Sequence, residues 1–148
     1  MNVKNYVRFE FKSLAENVSF ARSCVAAFAT QLDLTLEDIE EIKVVVSEAV
    51  SNCIIHAYEN RCNEKIVVLV SIMDDRSLEI VVEDQGKGIE DIEKAIEPAF
   101  SSDSSRTGLG FTFMKSYMDE MEVFSQPGEG TTVRLKRHFR KKEQEAYA

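Results

Sequence analysis

Hydrophobic and polar positions alternate with a period of two along Tyr6-Val-Arg-Phe-Glu-Phe11, which puts Val7, Phe9 and Phe11 on one side. That pattern predicts a half-buried strand. From Val18 the apolar spacing changes to three and four. Val18, Ala21, Val25, Phe28 and Ala29 predict a helix to about Leu32. Ser13 or Asn17 is placed to cap it, with Glu16 at capping-box spacing from Ser13. Leu34-Thr35 breaks the pattern. Thr35, followed by Glu37 and Asp38, predicts a new helix start with acids facing the positive end of its dipole. That helix runs to about Tyr58 and buries Val45, Val46, Ala49, Val50, Cys53, Ile54 and Ala57.

A polar turn over residues 59–64 leads into Lys65-Ile-Val-Val-Leu-Val-Ser-Ile-Met73, whose β-branched run predicts a central strand. Asp74 to Ser77 turns the chain back into a strand from Leu78 to Asp84. Residues 90–107 carry no packing pattern, contain Pro98 and a serine-rich run, and predict a mobile loop. A third helix is expected from Phe111 to about Met118. Strands at 120–125 and 131–136 follow, joined by Gln126-Pro-Gly-Glu-Gly130. The order β-α-α-β-β-loop-α-β-β predicts an α+β fold. Its sheet is expected to be mixed but mostly antiparallel, with helices on one face.

Composition narrows the function classes. The chain has 148 residues, enough for one domain with its own core. Its formal charge of -8 disfavours nucleic acid and anionic membranes, since both are polyanions. The one basic run, Lys136 to Lys142, reads as a solvated tail, so the domain is expected over 1–137 and the tail over 138–148. Cys24, Cys53 and Cys62 fit no metal spacing and no disulfide framework. With no signal-peptide pattern and no apolar run of bilayer length, a reduced, cytoplasmic, soluble protein is expected.

Three polar features stand out against this background. Glu48, Asn52 and His56 are four apart, so on a helix they form one stripe beside the apolar face. Glu48 and Asn52 would lie roughly 6 Å apart along the axis, close enough to act on one metal-phosphate group. Asp84-x-Gly86-x-Gly88 ends a strand. There a carboxylate can accept from the exocyclic amine of a base while the glycines make room for a ring. Gly108-Leu109-Gly110 opens a helix, where bare backbone N–H groups can approach a phosphate. Each feature alone occurs in many ordinary turns and helix rims. Together they outline a nucleotide site with a base end and a phosphate end.

This succession, closed by Gly130-Thr-Thr-Val133, resembles the GHKL ATP-binding family of sensor histidine kinases, MutL and type II topoisomerases. The wording Ser47-Glu-Ala-Val-Ser-Asn52, Asp84-Gln-Gly-Lys-Gly-Ile89 and Tyr117-Met-Asp-Glu120 is similar to one branch, the anti-sigma factor serine kinases of sporulation. The resemblance covers about residues 6 to 137 and implies a two-layer α/β sandwich of the GHKL (Bergerat) type. It implies ATP and Mg²⁺ as cofactors, with Asn52 on the metal and Glu48 as general base towards a serine hydroxyl. It further implies Asp84 at adenine, shaped by Gly86 and Gly88 and helped by Thr132. Gly108, Leu109 and Gly110 would face the phosphates. Arg106 would neutralise developing charge, although by residue type alone it reads equally as a solvated loop arginine.

Arg22, in Ser19-Phe-Ala-Arg22, matches a partner-binding arginine of the family. His56 reads as a hydrogen-bonding histidine near a helix end before it reads as a catalytic one. The loop Phe100-Ser-Ser-Asp-Ser-Ser-Arg106 departs from the threonines and lysine of relatives, and Asp103 would be unfavourable beside phosphates. The implied activity is an ATP-dependent anti-sigma factor that holds a sporulation sigma factor and phosphorylates its anti-anti-sigma antagonist. A homodimer is implied as well. Three alternatives are a general-stress anti-sigma kinase, a sigma-binding module with ATP as a structural ligand, and a histidine kinase catalytic domain. The last is disfavoured, because the chain shows no phosphoacceptor helix.

Overall fold

The computed structural model describes residues 2–92 and 110–139. The expected mobile loop, with Arg106, Gly108 and Leu109, therefore falls largely outside the described residues, as does the chain beyond Phe139. Strand β1 (Val3–Lys12) leads to helix α1 (Asn17–Ala29), which tightens into a 3₁₀ turn at Thr30–Leu32. Helix α2 (Leu36–Asn52) follows and passes into a π turn at Cys53–Ala57. Strands β2 (Lys65–Met73) and β3 (Ser77–Asp84) form the expected hairpin. Helix α3 (Gly110–Tyr117) precedes β4 (Glu120–Gln126) and β5 (Gly130–His138).

The sheet runs β1-β2-β3-β5-β4, and every neighbouring pair is antiparallel. The mixed sheet expected from sequence is thus antiparallel throughout, since two tight hairpins and the two-helix return from β1 to β2 all reverse the chain. One face carries Ile66, Val68, Val70 and Ile72 of β2 and Leu78, Ile80 and Val82 of β3, all buried. Against it lie Ala21 and Val25 of α1 and Ile42, Val45, Val46, Ala49 and Val50 of α2, in one core. Fully burying a side chain of this size contributes about 1.5–3 kcal/mol, so this face dominates the stability. Helix α2 packs against both α1 and α3.

Thr35 caps α2 as expected: its hydroxyl accepts from Asp38 N at 3.1 Å, and Asp38 Oδ2 accepts from Thr35 N at 3.3 Å. The expected cap of α1 is not made. Ser13 instead donates to Arg61 O and accepts from Glu64 N, joining the end of β1 to the turn before β2. Long-range pairing outcompetes the local cap. At the other end, β5 continues through His138 and Phe139 is buried, so the sheet extends past residue 137. Arg137 fastens that end to α2, donating to Asp38 and Glu41 at 2.9 Å each.

Candidate functional site

The phosphate-end features converge. Helix α2 presents Glu48 and Asn52 one turn apart, and α3 begins directly against them. A Cβ on Gly110 would stand 3.1 Å from Glu48 Oε2, 3.2 Å from Asn52 Nδ2 and 3.4 Å from Asn52 Oδ1. A side chain here would have to push the ends of Glu48 and Asn52 aside by a few tenths of an ångström. A helix start offers backbone N–H groups and the positive end of the dipole. A carboxylate, a carboxamide and a helix N-terminus thus share one corner.

The regular α-helix that carries the stripe ends at Asn52. After Asn52 the backbone widens into the π turn, and Tyr58 N donates to Cys53 O at 2.9 Å, an i to i+5 bond. His56 therefore lies in the π turn and not in the α-helix that carries Glu48 and Asn52. The Ala57 carbonyl, at the end of this helix, accepts from Lys87 N at 3.1 Å. The helix end therefore docks the loop that follows β3.

That loop is pinned residue by residue. Gln85 N donates to Tyr58 Oη at 2.6 Å, Gly86 N to Asp84 Oδ1 at 2.9 Å and Ile89 N to Ser125 Oγ at 2.8 Å. A Cβ on Gly86 would fall 2.7 Å from Ala57 Cβ, inside any tolerable contact. Gly88 has φ +77° and no room for a Cβ beside the Gln126 carbonyl. Both glycines of the motif are required by close approach.

Asp84 is buried on the helix-covered face at the end of β3. Its Oδ1 accepts from Gly86 N and, at 3.2 Å, from Thr131 N. Burial pushes its carboxyl above the usual carboxylate range, and hydrogen bonds from Gly86, the Cys53 thiol and Thr131 partly offset this. Burial, followed by the Asp84 charge and its hydrogen bond, pushes the Cys53 thiol well up, so it stays protonated.

Register separates the two threonines. Asp84 pairs with Thr131, whereas Thr132 pairs with Glu83 on the opposite face. Of the two, Thr131 shares the face of Asp84, and Thr132, the threonine singled out from sequence, does not. The Thr131 hydroxyl lies 2.8 Å from Ser125 Oγ. Thr131, Ser125, Tyr58 and Cys53 also border Asp84 or the loop after it, and sequence reasoning singled out none of them for the base end. Strand alternation counted back from the β5 core position Val133 selects Thr131, but no local pattern marks the other three.

Arg22 lies on α1, with Nη1 3.4 Å from the Oγ of Ser47, the residue before Glu48. Among the described residues, no helix is long and apolar enough to cross a membrane.

Residues 11–137 match the family profile of the histidine kinase-like ATPase domain. The chain is 50% identical over 141 residues to the anti-sigma F factor of Caldanaerobacter subterraneus subsp. tengcongensis, covering 94% of this chain and 97% of that protein. It belongs to the anti-sigma F factor family. The Bacillus subtilis anti-sigma F factor is 44% identical over 141 residues, again covering 94% of this chain and 96% of the relative. Among solved structures, the RsbU and RsbW domains of a Mycobacterium tuberculosis protein superpose with a TM-score of 0.67. At 18% identity this covers 91% of this chain and 32% of that one, a likeness of fold. The anti-sigma F fold is thus a GHKL-type α+β domain with its glycine motifs gathered at one end of the sheet.

Proposed function

We propose that this chain binds ATP with Mg²⁺, holds a sporulation sigma factor in that state, and phosphorylates a serine of an anti-anti-sigma protein. The observation that carries this reading is Gly110 packed on Glu48 and Asn52, with Asp84 at the other end of the same helix and loop assembly. The cradle fits a phosphate chain: a Cβ would fill it, and its donors are backbone N–H groups beside one carboxamide. Asn52 would supply a side-chain oxygen to Mg²⁺, a hard ion that takes few protein ligands and keeps phosphate oxygens and waters. Bound there, the ion would neutralise phosphate charge.

The protein's own residues do the rest. Asp84 accepts from the adenine amine through Oδ2, because both backbone bonds fall on Oδ1. Gly86 lets Ala57 pack against the loop that follows Asp84, and Gly108, Leu109 and Gly110 bring N–H groups to the phosphates. Glu48 accepts the proton of the incoming serine hydroxyl, and Arg106 offsets charge on the transferred group. Arg22, one helix away, contacts the partner. The same family points to a homodimer, which sedimentation would test.

A radiolabelled-ATP transfer assay with the cognate antagonist separates these roles. Glu48→Gln is expected to keep ATP affinity and lower transfer by at least about 100-fold. Asn52→Ala is expected to weaken Mg·ATP binding and so disturb both transfer and sigma retention. Equal effects of the two changes would refute the division, and full transfer by Glu48→Gln would refute the base.

A further inference from the structure

We propose that Tyr58 is a positioning residue of the base end: its buried hydroxyl fixes the peptide that follows Asp84 and so aims the carboxyl at the adenine amine. The proposal rests on the reading that Asp84 receives adenine. Tyr58 is 1% exposed and closes the π turn, donating from its N–H to Cys53 O at 2.9 Å. Its carbonyl accepts from Arg61 N at 2.9 Å and from Arg61 Nε at 3.0 Å. Its hydroxyl donates to Lys65 O at 2.5 Å and accepts from Gln85 N at 2.6 Å. A hydroxyl has one hydrogen, and Lys65 O takes it, so Gln85 N–H meets a lone pair. Every polar atom of Tyr58 is thus engaged, and its ring is held in the core.

The hydroxyl stands where the sheet opens. The last pair of β2 and β3 at this end is Ile66 with Asp84, so Lys65 and Gln85 are the positions that come next in register. Tyr58 Oη bridges Lys65 O to Gln85 N and takes the place of a direct rung. β3 can leave β2 there without stranding a buried donor. The peptide joining Asp84 to Gln85 is then held at both ends. Tyr58 takes its N–H, and its oxygen lies against Gly130, where a Cβ would fall 2.3 Å away. The planar peptides before and after a residue set the direction of its side chain. For Asp84 the first lies in the sheet, and Tyr58 and Gly130 set the second. Gly86 N and Thr131 N hold the carboxyl through Oδ1, whereas Tyr58 holds the backbone from which it projects.

Tyr58→Phe removes one oxygen and keeps the ring. Lys65 O and Gln85 N are then left facing each other. They either close into a direct rung, drawing the end of β3 towards β2, or stay apart and release the loop. Both outcomes turn the Asp84 carboxyl away from its aim. The phosphate-end residues Glu48, Asn52 and Gly110 lie on α2 and α3, before the π turn or beyond the loop, and keep their arrangement. The loss therefore falls on the contact with the base amine and spares the rest of the nucleotide.

The test titrates the full chain by calorimetry with ATP and with purine riboside triphosphate, which lacks only the exocyclic amine, both with Mg²⁺. Thermal unfolding checks folding. Wild type is expected to prefer ATP by at least about tenfold, the worth of a hydrogen bond to a charged group. Tyr58→Phe is expected to bind ATP about tenfold more weakly and the amine-free nucleotide within about twofold of wild type, so the preference disappears. Equal weakening towards both nucleotides, or an unchanged preference, overturns the positioning role. A wild type with no preference refutes the adenine role of Asp84, and the proposal with it, before Tyr58 is altered. If Tyr58→Phe does not fold, amide exchange at Gln85 in the wild-type protein decides. ATP is expected to slow it at least about tenfold more than the amine-free nucleotide at equal saturation, and equal rates overturn the proposal.

Discussion

Alanine at position 86 tests the docking of the base-end loop on the π turn. The new Cβ would fall 2.7 Å from both the carbonyl carbon and the Cβ of Ala57, and closer still to its oxygen. No flexible side-chain end lies there to swing aside. Loop and helix end must separate by roughly 1 Å to restore ordinary contact. That separation strains the bond from Lys87 N to Ala57 O, now 3.1 Å, and the bond from Gly86 N to Asp84 Oδ1, now 2.9 Å. Overpacking costs about 1–3 kcal/mol, and each weakened hydrogen bond about 1 kcal/mol. Together these give a loss of about 3–5 kcal/mol, which for a chain of this size lowers Tm by roughly 10–15 °C.

The backbone of Gly86 does not lie in the left-handed region, so this cost is steric. Gly128→Ala is the matched control, because it has φ +79° and nothing within 4 Å. It should cost only the left-handed penalty, about 1–2 kcal/mol, and leave nucleotide affinity unchanged. Gly86→Ala should weaken ATP binding by more than about tenfold, because Asp84 moves with the loop. Thermal unfolding and ATP titration of both variants are the assays. A Gly86→Ala protein with the wild-type Tm would refute the reasoning, and so would equal losses of affinity in the two variants.

Two further outcomes follow from the register and the ion pairs. Thr131→Val should weaken ATP binding severalfold by removing a hydroxyl beside Asp84 and Ser125, whereas Thr132→Val, on the other face, should bind as wild type. A reversed order in the same titration would contradict the placement. Arg137→Ala leaves Asp38 and Glu41 facing each other half-buried and should cost about 1–3 kcal/mol in urea unfolding with unchanged slope. Arg137→Lys should recover only part, since one ammonium cannot reproduce the fork that reaches both acids.

Much was legible in the chain because the signals are local. Alternation over Tyr6–Phe11, the Thr35 cap and the β-branched run from Ile66 each specify their element through neighbours a few residues away. The motif residues Glu48, Asn52, Asp84 and Gly110 were likewise visible as residue types at helix and strand ends. Tertiary structure decided how they meet. Gly110 approaches Glu48 and Asn52 only because α3 packs on α2, and Thr131, not Thr132, shares the face of Asp84 only because antiparallel register pairs the two. Ser13 gives up its expected cap for a bond across to residues 61 and 64. The change of turn after Asn52 shows the difference most clearly. Three- and four-residue spacing predicts one regular helix to about Tyr58, but docking the Asp84–Ile89 loop on Ala57 goes with a wider turn. Periodicity cannot report that, because the acceptor's partner, Lys87, lies on a different part of the chain.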